Sequence, residues 1–369
     1  MSTTNYFSNS STITTLVFSG GGTKGISFIG AIKYLEELDI LKNINKYIAS
    51  SIGSVIATFL CLGYNVNTIH RLIHQLDLTL LQDINLHSIM NFTCNFGIDN
   101  GNNFMKLIKI IIKKKTGNED ITLKELFHFT NKVIVITGTC LNNSSTYFFD
   151  YKKNPNMKLC EAIRISTCFP LYFHCCTYDN KIFVDGALSC YFPISICEQD
   201  EHYLGIVIDD TTHEQLDTID DIFTFVQCLF HVNFKQYKEN MIRKHKYKTI
   251  VIPMNASSID FQLNDEEKQH FYQIGYKASE DFFLFLQKQE EEEQKLQQEL
   301  KQVQKQEEEE QKLQQELKSK INNSYCELNN NGNITGETNK ECENDNEDIS
   351  SKNNENNEKN NDNESNTIN

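Results

Sequence analysis

Thr15-Leu16-Val17-Phe18-Ser19-Gly20-Gly21-Gly22-Thr23-Lys24-Gly25 is the stretch whose reading decides the fold. Its first half is apolar and β-branched and reads as a buried strand; three consecutive glycines then break it. A helical pattern follows at once, with Ile26, Ile29, Ile32, Leu35 and Leu38 recurring about every three residues. The next apolar run, Tyr47-Ile48-Ala49, leads through Ser50-Ser51-Ile52-Gly53 into a second helical segment, Val55 to Leu60. Strand, loop, helix, strand, turn, helix is the alternation of an α/β protein, with a mostly parallel sheet and helices on its faces.

Working outward, residues 67–116 read as helical and include a basic stretch. Lys132 to Thr139 is a β-branched run and reads as a buried strand, and Ser145 to Tyr151 as another. Lys158 to Thr167 reads as a helix stopped before Pro170. Lys181 to Val184 is a strand that runs into Asp185-Gly186. Leu204–Ile208 and Thr249–Ile252 are two more strands with a helix between them, and Asp265 to Leu286 is a long helix. The expected globular domain therefore covers 15–286, behind a flexible Ser/Thr/Asn-rich segment at 1–14.

From Gln287 the character changes. The sequence QKQEEEEQKLQQELK occurs at Gln287–Lys301 and again at Gln304–Lys318. Four consecutive Glu interrupt the apolar stripe in each copy, so heptads are not sustained. A solvated helix with Glu–Lys pairs over 287–320 is favoured over oligomerisation through that segment. Residues 321–369 are Asn/Glu-rich and hold too little apolar surface to offset their ordering entropy, so a disordered tail is expected.

The chain carries a net charge of −15, and residues from Gln287 onward, with 10 Lys and 21 acids, hold most of it. No basic footprint for nucleic acid exists, so no nucleic-acid partner is expected. The 12 Cys include no C-x-x-C pair and read as reduced thiols of an intracellular protein. There is no signal-peptide pattern and no apolar run of spanning length, so the expected location is cytoplasmic or peripheral to membranes. Lys106, Lys109 and Lys113 share a helical face beside Ile110–Ile112. That face reads either as an anionic-bilayer contact or, as favoured here, as a buried helix with lysines near its C-terminal dipole.

Three features carry chemistry. The Gly20-Gly21-Gly22-Thr23-Lys24-Gly25 loop joins a strand to a helix, where backbone N–H groups point at an anion. It fits an oxyanion hole, and Gly20, Gly22 and Gly25 also fit the dinucleotide pattern G-x-G-x-x-G. Ala49-Ser50-Ser51-Ile52-Gly53 has a serine at the centre of a strand-to-helix turn with small residues two places either side, the demand of a nucleophile elbow. Val184-Asp185-Gly186-Ala187 ends a strand on a carboxylate followed by a sharp turn, at the sheet edge where open α/β sheets build sites.

Together these three, with Ala162-Ile163-Arg164-Ile165-Ser166-Thr167 and Pro170, resemble the patatin-like phospholipases over roughly Leu16 to Pro193. The resemblance implies a three-layer sandwich related to the α/β-hydrolases. It implies Ser51 as nucleophile, Asp185 as base on a turn completed by Gly186 and Ala187, and an oxyanion hole from the amides of Gly20 to Gly25, with Lys24 as loop support. Arg164 is expected to be structural or to help hold that loop. Ala49 stands where the family has glycine; alanine is the smallest side chain with a Cβ, and the elbow is expected to survive it. The implied activity is ester hydrolysis on an acyl lipid through an acyl-enzyme, with no cofactor and no metal, and peripheral membrane contact as a further expectation.

The chemistry demands a base about 3 Å from the serine hydroxyl. A carboxylate serves better when partial desolvation raises its pKa. His202, His213, His231, His245 and His270 follow Asp185 in the order of an ordinary hydrolase triad, but none sits in a Gly-flanked strand end. One rival is a dinucleotide-binding oxidoreductase, whose ribose-binding acid would be Glu36, Glu37 or Asp39. Another is an inactive scaffold that recruits partners through the C-terminal helix.

Overall fold

The glycine-broken strand lies inside an eight-stranded sheet in the computed structural model of the chain, which describes residues 13–198, 201–209, 218–220 and 222–330. The strands are β1 (Thr15–Phe18), β2 (Lys46–Ala49), β3 (Gly97–Asp99), β4 (Val133–Cys140), β5 (Ser145–Phe149), β6 (Leu171–Phe173), β7 (Cys176–Tyr178), β8 (Lys181–Asp185), β9 (Tyr203–Asp209) and β10 (Thr249–Pro253). The main sheet has the order β10-β9-β1-β2-β4-β8-β7, with β5 also paired to β4. Strands β10, β9, β1, β2 and β4 are mutually parallel, whereas β8 and β5 run antiparallel to β4. A separate two-stranded parallel ribbon joins β3 to β6.

The helices are α1 (Ile26–Glu37), α2 (Ile52–Cys61), α3 (Val66–Gln75), α4 (Leu86–Met90), α5 (Phe92–Asn95), α6 (Asn102–Thr116), α7 (Leu123–Thr130), α8 (Leu159–Ser166), α9 (Ile222–Lys244) and α10 (Asp265–Asn330). Alternation along the strands feeds two apolar layers, as a period of two requires. Leu16, Phe18 and Ile136 face the larger core, which includes residues of α1, α2, α6 and α8 and the first part of α10. Val17, Ile48 and Val135 face a smaller one closed by Phe192, Ile194 and, from α9, Met241 and Ile242. The result is the expected three-layer sandwich with unequal outer layers.

Several expectations need correction. Residues 67–116 are not one helical stretch. Side chains of Asn65, Asp77 and Asn85 each accept an amide hydrogen bond at a new helix start, and Gly101, at φ +74°, opens α6. The three short strands β3, β6 and β7 are additional to the expected set. Ile13 is buried, and the Thr14 amide donates to the His202 carbonyl at 2.9 Å, so these two residues of the segment expected to be flexible are tied to the sheet. The helix expected to end the globular domain and the Glu/Gln-rich helix are a single element that continues to Asn330, beyond the expected limit at 320. Residues 1–12 and 331–369, for which flexibility and disorder are expected, lie outside the described residues.

Contacts divide the chain into two units, Met1–Gln297 and Gln298–Asn369. In the first unit α10 meets α1 backbone to backbone. A Cβ on Gly30 would lie 1.8 Å from the Tyr272 carbonyl oxygen, and one on Gly275 would lie 1.8 Å from that of Ser27. Only glycine on both helices permits that approach. In the second unit, Leu300, Val303, Leu313, Leu317 and Ile321 are all exposed. Among the described residues no helix is long and apolar enough to cross a membrane.

Candidate active site

Strand β2 continues through Ser50, whose amide donates to the Phe18 carbonyl (3.1 Å), and then turns sharply into α2. Ser51 is the turn residue. Its backbone, φ 51° and ψ −130°, lies in a region L-residues rarely occupy, a strain of about 1–3 kcal/mol that the surroundings must hold. They do so from three sides. The Ser51 amide donates to the Ser166 hydroxyl (2.9 Å), the Ser51 carbonyl accepts from the Ser54 hydroxyl (2.6 Å), and buried Ser50 accepts from Thr137 (2.9 Å). Gly53 is needed because a Cβ there would sit 2.5 Å from the Ser19 carbonyl oxygen. Ala49 is fully buried at the end of β2, and the turn forms with its Cβ in place.

Asp185 reaches the same level from the opposite direction. β8 descends along the far half of β4 and places Asp185 opposite Gly138, two residues beyond Ile136, which pairs with Ala49. Ser51 is likewise two residues beyond Ala49, so hydroxyl and carboxylate meet. The Ser51 hydroxyl donates to Asp185 Oδ2 at 2.6 Å, and the Ala187 amide donates to Oδ1 at 2.8 Å. Gly186 makes the turn possible, since a Cβ there would strike the Thr137 hydroxyl at 2.1 Å. Thr139 donates to the Asp185 carbonyl (2.8 Å) and the Asp185 amide to the Cys168 carbonyl (2.8 Å), which fixes the strand end. Burial pushes the Asp185 carboxyl up to about 7, against the smaller downward pull of the Ser51 and Ala187 hydrogen bonds.

The glycine loop is more committed than its sequence suggests. The Gly20 amide donates to the Tyr191 carbonyl and the Thr23 amide to the Ser258 carbonyl, both at 2.9 Å. These two amides therefore drop out of the expected set of oxyanion donors. Gly21 and Gly22 remain and line the same cavity as Ser51. Ile52, expected only as an elbow residue, opens α2 directly after Ser51, so its amide is one of the helix's unmatched first donors. Gly25 packs against Ile52, and a Cβ there would approach its Cγ1 to 2.5 Å. Lys24 is buried within the loop, and its carbonyl accepts from Ser27, in keeping with a supporting place.

Arg164 stands apart from the pair. Its guanidinium donates to the carbonyls of Asn100 (3.2 Å) and His174 (2.8 Å) and stacks on Phe173, so it clamps the β3–β6 ribbon rather than the glycine loop. Among the described residues no histidine lines the cavity. His213 lies outside the described residues, as does the side chain of His231. Glu36 and Glu37 close α1 at the end away from the glycines and pair with Lys33. A Cβ on Gly22 would lie 1.7 Å from the Ser258 carbonyl oxygen, so that side of the loop is filled by protein. Neither observation fits a dinucleotide site.

Ser51 and Asp185 border a cavity of about 180 Å³. Apart from the glycine loop and a few hydroxyls its wall is hydrocarbon. Along α2 it is lined by Ile52, Val55, Ile56 and Phe59, one face at helical spacing. From Ile52 to Phe59 is seven residues, a run of about 10 Å. Phe59 packs edge-on against Tyr64, whose hydroxyl donates to the Ile111 carbonyl (2.8 Å).

Comparison with known proteins adds an independent line. The patatin-like phospholipase family model matches residues 16–197. A protein of Acanthamoeba polyphaga mimivirus, "Uncharacterized protein R571", is 27% identical over 279 residues, spanning 73% of this chain and 93% of its own length. "Probable lipid hydrolase 463L" of Invertebrate iridescent virus 6 is 26% identical over 242 residues, 65% of this chain and 77% of its own. Among solved structures, VipD from Legionella pneumophila shares the fold, with a TM-score of 0.50 at 16% identity over 73% of this chain and 66% of that one. Over residues 16–197, then, the chain belongs to the patatin-like phospholipases.

Proposed function

We propose that the protein is a serine hydrolase that cleaves the carboxylic ester of an acyl lipid, with Ser51 as nucleophile and Asp185 as base. The observation that carries this reading is the 2.6 Å hydrogen bond from the Ser51 hydroxyl to a buried carboxylate on the wall of a hydrocarbon cavity. The patatin-like match and the relative named as a probable lipid hydrolase support it.

The chemistry runs in two halves. Asp185 Oδ2 takes the Ser51 proton as Oγ bonds to the ester carbonyl carbon. The negative oxygen that results is held by the amides of Gly21, Gly22 and Ile52, each such donor being worth about 3 kcal/mol in a dry site. The tetrahedral species collapses, the C–O bond breaks, and Asp185 returns the proton to the departing alcohol oxygen. Water then gives a proton to Asp185 and attacks the acyl-serine. Oγ leaves, recovers the proton, and the free acid departs. A carboxyl near 7 suits both directions of transfer, because it is ionised often enough to accept and acidic enough to donate.

Ser51→Ala is expected to lower hydrolysis of an acyl-ester reporter by roughly four to six orders of magnitude with unchanged circular dichroism. Retained turnover refutes the nucleophile. Labelling with a fluorophosphonate separates this reading from an inert scaffold that recruits partners through its C-terminal helix, since only an activated serine reacts. Mass spectrometry of products from mixed phospholipids and triglycerides identifies the ester cleaved.

A further inference from the structure

We propose that residues 80–96 and the apolar stripe Ile222, Phe225, Leu229 and Val232 form a docking surface for a lipid bilayer beside the acyl cavity, which delivers the ester from the leaflet to Ser51; the delivery rests on the hydrolase reading above, the surface does not. Leu78 and Leu81 line the cavity, while Leu80 between them points outward and is 66% exposed. The chain that follows continues outward, with Leu86 at 73% and Met90 at 76% exposure on α4. From the other direction Phe230 of α9 lines the cavity and meets Phe169 edge-on (5.5 Å). On the same helix Ile222, Phe225, Leu229 and Val232 recur at steps of three, four and three, and all are exposed, Val232 to 75%. That spacing makes one apolar stripe that none of the described residues buries.

Soluble proteins seldom leave such contiguous hydrocarbon in water unless something covers it. Here the exposed side chains alternate with cavity-lining ones on the same two elements, so outer patch and inner wall are one apolar surface. A partner protein would match the patch and leave the cavity behind it unused. A leaflet matches both, since a chain lifted from it passes from hydrocarbon to hydrocarbon. Residues 84–96 carry no acid and Asp99 beyond them is fully buried, while half-buried Asp83 and exposed Asp220 stand at the ends of the two segments, so the hydrocarbon and not the charge carries the choice of a bilayer. The lysine stripe of α6 is a weaker anchor. Lys109 pairs with Asp120 (3.2 Å) and Lys113 with Glu119 (3.0 Å), which leaves Lys106 of the three without a carboxylate partner. Apolar side chains set about 5–10 Å into the headgroup boundary are the better account, and binding by them survives salt that screens charge.

The test uses full-length Ser51→Ala protein and sucrose-loaded vesicles of phosphatidylcholine with a minor share of phosphatidylserine. The protein is expected to sediment with vesicles at low and at high salt. Adding Met90→Glu and Val232→Glu should weaken partitioning at least about tenfold. The same two changes in the Ser51 background should leave hydrolysis of a short, water-soluble ester at the parent rate, since neither side chain lines the cavity. Unchanged sedimentation of the Glu variant overturns the proposal, as does binding that salt alone abolishes, which assigns it to the lysines. Loss of soluble-ester turnover in the Glu variant also overturns it. So does self-association that the two changes abolish in the absence of vesicle binding, which makes a second copy the occupant. If the parent binds vesicles but turns over no ester, the surface stands and the hydrolase reading falls.

Discussion

At the scale of single residues, one carboxyl governs the pH behaviour. The proposed base must be ionised, so kcat/KM is expected to rise with pH along a single ionisation near 7, the value to which burial lifts Asp185. A profile flat from pH 5 to pH 8 excludes Asp185 as the titrating base. The same shift has a stability consequence. Folding raises this carboxyl above its unfolded value of about 3.9, so its contribution is most favourable below that value and is lost as pH rises toward 7, then stays constant. Asp185→Asn removes the penalty and keeps both hydrogen bonds, with the amide nitrogen donating to Ser51 and the oxygen accepting from Ala187. The variant is expected to be inactive and to melt roughly 5 °C above the parent at pH 8, with the gap narrowing toward pH 5. A variant that melts below the parent at pH 8 contradicts the desolvated carboxylate. Ser51 and Asp185 were legible as candidates because each sits in a short pattern with its own steric logic. Their supports were not. Ser166 stands in a segment that carries the resemblance, but its bond to the Ser51 amide crosses more than a hundred residues of sequence, as do those of the Tyr191 and Ser258 carbonyls, which nothing local marks.

At the scale of elements, α2 lines the cavity proposed to hold the acyl chain. Its cavity face begins at Ile52, beside the nucleophile, and ends at Phe59, braced from behind by Tyr64. Phe59→Ala is expected to shift the preferred ester toward longer chains, at a stability cost of about 3–5 kcal/mol. Val55→Phe, one turn from Ser51, should exclude all but short ones. A chain-length series on the three proteins checks this, and an unmoved optimum places the acyl group elsewhere. The crossing of α1 and α10 is as exacting. Gly30→Ala should lower the urea midpoint sharply, because its new methyl meets backbone and not a movable side chain; urea unfolding of the variant measures it. The buried strands β1, β2, β4, β8, β9 and β10 were readable because each is an apolar run bounded by punctuation. Strands β3, β6 and β7 have three residues each, too few to establish a period. The breaks between helices over 67–116 are hidden because the apolar residues on either side keep a helical spacing. The Gly30–Gly275 contact was illegible for another reason: a glycine inside a helical pattern reads as a weakness until its partner is known.

At the scale of the whole molecule, the described residues draw a limit along the long helix. The buried apolar side chains on α10 stop at Leu286, and the apolar residues from Leu296 to Ile321 are exposed. A chain ended after Gln297 is expected to melt within about a degree of the full protein and to hydrolyse soluble esters equally well. A drop in either assigns the repeat a structural task that its sequence does not announce. The pairing pattern of β4 has a wider consequence. It holds the serine strand along one half and the acid strand along the other, so the separation of the Ser51 hydroxyl and the Asp185 carboxylate is set by two residues of a single strand, Ile136 to Gly138. That strand works as a ruler. The long intervening segments, from α3 to α7 and from β5 to β7, lie outside the paired stretch of β4 that sets this length. An insertion in those segments is thereby expected to leave the Ser51–Asp185 spacing unchanged.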